Sequence, residues 1–135
     1  MMADSPLAAP VSLEDVRSWR GYGVDEVGGS GIGQVHGCFV DAERGQPSWL
    51  ITKLGRFGAG TLVAIPIADC AGGAGRIWVG HARERIRSAP VVDPTRPLLR
   101  EHELTIGAHY GMSEGVGRPA EVVARAEGAV TSQPA

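Results

Sequence analysis

The sequence predicts one small, mainly β domain, and three observations carry that expectation. Between Gly21 and Val79 short β-type runs alternate with glycine-rich breaks, the pattern of a compact all-β unit. Hydrophobic residues are 43% of the 135, near the globular norm, so a core can form. Aromatics are only 5% while glycine occurs 20 times, which points to tight turns around a core of Val, Ile, Leu and Ala. A chain of this length has room for one domain.

Each element follows from local chemistry. Residues 1–13 are rich in Ala, Pro and Ser and read as a mobile leader. Ser12 with Asp15 three residues on is a capping start for a short helical turn to Trp19. The first β run is Tyr22–Val27, ended by Gly28-Gly29-Ser30-Gly31. The second is Ile32–Asp41, with Val35, Cys38 and Val40 as inward candidates. Val35 and Cys38 are three apart, and Gly37 between them marks a β-bulge that resets the facing. Residues 42–46 make a hairpin turn, with Asp41 placed to bond turn N–H groups. Pro47 opens the third run, Trp49–Leu54, and the fourth is Thr61–Ile67, where Pro66 marks an edge or a strand end. Gly55–Gly60 and Asp69–Gly75 are read as loops, and Arg76–Val79 as the last strand.

Helical character returns at Ala82–Ser88, stopped by Pro90. Pro90, Pro94 and Pro97 make an extended connector. Leu99–Tyr110 reads as a second short helix with Gly111 at its stop. From Ser113 onward Gly, Ala, Glu, Pro and Ser dominate, and the expectation is disorder, with a helical turn available at Pro119–Arg125.

The order of these landmarks resembles the PRC-barrel family, named from the photosynthetic reaction centre. Residues 28–35, Gly-Gly-Ser-Gly-Ile-Gly-Gln-Val, resemble its turn and second strand; residues 41–47, from Asp41 to Pro47, resemble its Asp, turn, Gly, Pro hairpin. Ile65-Pro66-Ile67 is similar to its apolar-Pro-apolar strand, Ile86–Pro90 to its closing helix, and His109-Tyr110-Gly111 to a segment that often follows the barrel in bacterial members. The match spans roughly Trp19 to Gly111. The family's first turn usually carries Asp-Gly and then charged residues, which this chain lacks. The resemblance implies an all-β fold, a small PRC-type β-barrel with short C-terminal helices and disordered termini. Its expected parts are a leader over 1–13, the barrel domain over 14–90, a Pro-rich strap and helix over 91–111, and a disordered tail over 112–135.

A closed barrel would remove exposed strand edges, and its interior would be filled by side chains, leaving no deep pocket there. A core this small gives marginal stability, compatible with a covering helix or a homodimer contact.

Catalytic readings fail on spacing. The glycine cluster lacks the Lys of a phosphate loop, and His36 stands where a dinucleotide motif needs its third Gly. Ser30 has Gly28 two before it but Ile32 two after, which breaks a nucleophile elbow. His102-Glu103 begins like a zinc-protease helix, yet position 106 is Ile. His102 and His109 would lie roughly 10 Å apart along a helix, too far to share one metal. His36 and His81 flank strands, and a meeting of the two with a carboxylate would reopen an enzymatic reading. Cys38 and Cys70 have neither zinc nor redox spacing and read as buried thiols. No catalytic residue, cofactor or metal is therefore expected.

The formal charge of −2 gives no global pull toward nucleic acid or an anionic membrane, and no run reaches the roughly 20 apolar residues of a membrane helix. The N-terminus has no basic region or apolar core of a secretory signal, so the expected location is cytoplasmic. The richest cluster is Arg76–Arg87, where Trp78, Arg83, Arg85 and Arg87 are the candidate partner-binding residues. The expected function is a non-catalytic protein-interaction or assembly module, an adaptor or stress-associated scaffold whose partner is a protein. The alternative is an RNA- or ribosome-associated protein using Arg83, Arg85 and Arg87.

Overall fold

The computed structural model describes residues 11–55, 60–112 and 117–127. Residues 1–10 of the leader expected over 1–13, loop positions 56–59, and tail positions 113–116 and 128–135 lie outside the described residues; Leu13, at the leader's end, already belongs to α1. The elements run α1 (Leu13–Trp19), β1 (Gly23–Glu26), β2 (Gly31–Asp41), β3 (Pro47–Leu54), β4 (Leu62–Pro66), β5 (Cys70–Gly73), β6 (Arg76–Val79), α2 (Arg83–Arg87), β7 (Leu98–Leu99), α3 (Arg100–His109) and β8 (Val122–Ala126). The fold is mainly β, as expected. Its sheet runs β4-β3-β2-β1-β6-β5 and is open between its end strands β4 and β5, where a barrel would have closed.

β2 is the spine. One edge pairs antiparallel with β3 along its length. The other edge is shared: its first residues face β1 and its last three, Phe39 to Asp41, face β8. The β2–β3 register slips between Val35 and Gly37, so His36 is the extra residue of a bulge beside the glycine that signalled it. A second slip follows Phe39. In consequence Cys38 and Phe39 are both buried, and the half-buried Val40 packs against the core. Bulges rotate facing by one residue, and strict alternation ends there.

β1 and β6 pair in parallel, and the buried Asp25 carboxylate holds them together through Arg76. Nε of Arg76 donates at 2.7 Å and an Nη at 3.0 Å, a two-pronged charge-assisted pair. The start of α1 matches its local chemistry. Ser12 and Asp15 form both halves of a capping box on α1. Asp41 accepts from the Glu43 N–H at 3.0 Å in the β2–β3 hairpin, as its turn position required.

Two stretches differ from expectation. Asp69–Gly75, read as a loop, contains β5, joined to β6 by a two-residue turn in which Ala74 and Gly75 have φ of 54° and 75°. That is the φ signature of the primed turns that match strand twist, here carrying Ala where Asn or Gly usually stands. The tail is corrected as well: Val122–Ala126 form β8, neither disorder nor a helical turn. β8 lies between β2 and β7, with Ala124 fully buried. Val122 and Val123 favour a strand but Ala124, Arg125 and Ala126 do not, and pairing on both edges decides the conformation.

The core is one cluster to which every strand and the inner faces of the helices contribute. Trp49, Leu50, Ile51 and Thr52 are buried in succession, so β3 is covered on both faces. No helix of the described residues is long and apolar enough to cross a membrane.

Candidate functional site

Three prolines shape the main concavity. Residues 90–97 form a strap whose first part is extended and hydrogen-bonds the outer edge of β4 through Val92 N–H to Leu62 O at 2.9 Å. Asp93–Arg96 then turns, with the Arg96 N–H donating to Asp93 O at 3.1 Å, which corrects the expectation of a connector extended along its length. Val63 and Val91 form an isolated bridge at the same edge. Within the strap the Asp93 carboxylate accepts from the Thr95 hydroxyl at 2.6 Å and the Thr95 N–H at 3.0 Å. These bonds, with Arg96 nearby, hold the Asp93 carboxyl below its usual range.

Opposite the strap stands α3. Leu99 offers no capping side chain, so the first α3 N–H groups bond main-chain carbonyls instead, Arg100 to Glu121 and Glu101 to Pro119. At the other end, the Tyr110 hydroxyl donates to Ala64 O at 2.7 Å and pins α3 to β4. Between strap and helix lies a groove of about 570 Å³, floored by Phe39, Leu98 and Ile106 and rimmed by Val91, Asp93, Arg96, His102 and Thr105. Val91, 69% exposed, is the large apolar side chain on its rim. The groove lies outside the sheet interior, where no deep pocket was expected.

A polar cleft of about 400 Å³ lies near the other side of α3. Arg100 donates to Glu103 at 2.9 Å and sits 3.8 Å from Glu121, while Glu103 also accepts from the Trp49 indole at 3.0 Å. This network ties α3 to β3 and to the approach to β8.

Two of the histidines tie elements together. His81 Nε2 lies 2.6 Å from the Asp69 carboxylate, and its ring packs 4.7 Å from that of Tyr110. His36 sits instead near Arg20 and Lys53, so the two histidines have different neighbours. His109 Nε2 is 2.6 Å from the Arg85 carbonyl. A carbonyl only accepts, so that nitrogen carries the proton. Ser88 Oγ is 3.5 Å from it but points its own hydrogen at the Glu84 and Arg85 carbonyls. A protonated nitrogen facing a donor hydroxyl is not a base–nucleophile pair. Both cysteines are buried, and burial pushes the Cys38 thiol up to about 12 and Cys70 higher still, far from thiolate chemistry. Among the described residues no group of three metal-ligating side chains comes together.

Of the sequence candidates, Trp78 is half-buried on β6, Arg83 opens α2 with its N–H 3.3 Å from Glu26, and Arg85 and Arg87 are exposed on that five-residue helix. Arg76 is drawn out of the cluster by Asp25. The groove escaped sequence reading because it exists only once the strap packs on β4 and α3 on the strap. Its one sequence signal was the spacing of the three prolines. Comparison with protein-family models and with curated proteins finds no match to this chain.

Proposed function

We propose that this chain is a non-catalytic interaction module, of the PRC-barrel kind its landmarks resemble, that takes an apolar segment of a protein partner into the groove beside α3. The observation that carries the reading is the groove itself, whose size and apolar floor suit inserted side chains, with an exposed valine at its rim. Supporting it, His81, His109 and Ser88 are engaged in contacts that hold elements together, and both cysteines are buried.

Affinity capture from the native host with three baits tests this: wild type, Val91→Asp, and the combined Arg83→Gln, Arg85→Gln, Arg87→Gln variant. The expected result is one protein retained by wild type and by the arginine variant but lost with Val91→Asp. Capture that is nuclease-sensitive and lost only with the arginine variant would replace this reading with the RNA one.

A further inference from the structure

The strap meets β4 with its own main chain only partly used. Along an antiparallel strand the N–H and C=O groups of successive residues face alternate sides. Leu54 N–H donates to Thr61 O at 2.8 Å, so Thr61 and Val63 turn their main-chain groups toward β3, and Leu62 and Ala64 turn theirs to the outer edge. Both outward carbonyls are taken, Leu62 O by the Val92 N–H at 2.9 Å and Ala64 O by the Tyr110 hydroxyl at 2.7 Å. Because Val92 faces β4, the N–H and C=O of its extended neighbour Val91, bridged to Val63, face away from β4. Among the described residues neither group has a hydrogen-bond partner, and Val91 is 69% exposed.

Val91 borders the groove whose far wall is α3. A helix laid there would satisfy its own main chain and leave that of Val91 unpaired. An extended segment offers a carbonyl and an N–H on one residue, the complement that one more antiparallel strand supplies. Pro90 has no N–H to add, so such a ladder is short and centred on Val91. Charge narrows the segment further. The charged residues of the groove lining are Asp93 and Arg96. Asp93 Oδ1 is committed to the Thr95 hydroxyl at 2.6 Å and the Thr95 N–H at 3.0 Å. Arg96 Nε is 3.6 Å from Asp93 Oδ2, beyond hydrogen-bond length, and its side chain is 81% exposed. The guanidinium therefore keeps its donors for an incoming carboxylate.

We propose that the groove takes its partner's segment as an added β-strand, hydrogen-bonded to the Val91 main chain, with apolar side chains over Phe39, Leu98 and Ile106 and an acidic residue at Arg96. It rests on the groove being the docking site, and it sets the conformation and charge of the segment that enters.

A phage-displayed library of random heptapeptides, panned against the full chain, tests it. The strongest binder is then synthesised with a fluorescent label and followed by anisotropy. The expected binder is apolar with an acidic residue toward one end. N-methylation of successive peptide amides should weaken binding by about five- to tenfold where the amide donates to Val91 O, the worth of one hydrogen bond. Exchange of the Val91 amide, followed by NMR, should slow when the peptide is bound. Arg96→Glu should weaken binding, and changing the peptide's acidic residue to Lys should restore it. A binder indifferent to N-methylation, with Val91 exchange unchanged, overturns the added strand while leaving the groove as the docking site. Binders without an acidic residue, or an Arg96→Glu protein that binds as wild type, overturn the charge assignment. Failure to select any binder, or binding unaltered by Val91→Asp, overturns the strand and the groove reading together.

Discussion

Gly33→Ala should be among the most damaging small substitutions in this protein. Gly33 sits on β2 between Val24 and Leu54, and a Cβ added there would lie 2.1 Å from Lys53 O, 3.0 Å from its carbonyl carbon and 3.1 Å from Leu54 Cα. All three atoms are main chain, so no rotamer change relieves the overlap. The closest contact is about 0.9 Å inside the 3.0 Å that real Cβ atoms respect. Separating β2 from β3 by that much would stretch a local inter-strand hydrogen bond of about 2.9 Å beyond the useful range. One or two such bonds, at about 1 kcal/mol each, add to an overpacking cost of about 1–3 kcal/mol. The expected loss is about 3–5 kcal/mol, a large share of the roughly 5–15 kcal/mol that holds a typical domain. Gly37→Ala is the internal control. It lies on the same strand, has no atom within 4 Å of the new methyl, and should change stability by less than about 1 kcal/mol. Urea unfolding followed by tryptophan fluorescence measures both. A Gly33→Ala protein within about 0.5 kcal/mol of wild type, or an equal loss from Gly37→Ala, would refute the close-approach argument.

Other outcomes follow from single contacts. Ala74→Gly relieves a left-handed alanine in the β5–β6 turn and should stabilise by about 0.5–1 kcal/mol in the same urea assay. Tyr110→Phe removes the bond to Ala64 O and should cost about 1–2 kcal/mol, with hydrogen exchange accelerated first in α3. Thr52 is wholly buried, and its hydroxyl has no partner among the described residues, so Thr52→Val should be neutral or stabilising by about 1 kcal/mol in thermal melts. Cys38 and Cys70 should resist a thiol reagent at pH 8 in the native state and both react once urea unfolds the chain. Because the folded thiols are held protonated, their contribution to stability is complete below the ordinary value of 9.0. It should fall as pH rises from there through about 12 for Cys38. A pH–stability profile flat above 9 would contradict the burial assigned to them.

Much of this fold was legible in the sequence, and the reason is local. The Ser12–Asp15 capping box, the hairpin at Asp41, the strand opened by Pro47, the bulge beside Gly37 and the strand Arg76–Val79 are each dictated by residues within a few positions. The sequence by itself determined a mainly β domain whose turns and caps are written in Ser, Asp, Gly and Pro. What it could not state is anything whose partner lies far along the chain. β8 is a strand because Phe39–Asp41 leaves an edge for it, and β5 because a turn tolerates Ala74 in a left-handed conformation. The groove arises where Pro90–Pro97 meets an α3 anchored through Ala64. Those are tertiary decisions, made by long-range hydrogen bonds and burial that no short window of sequence contains.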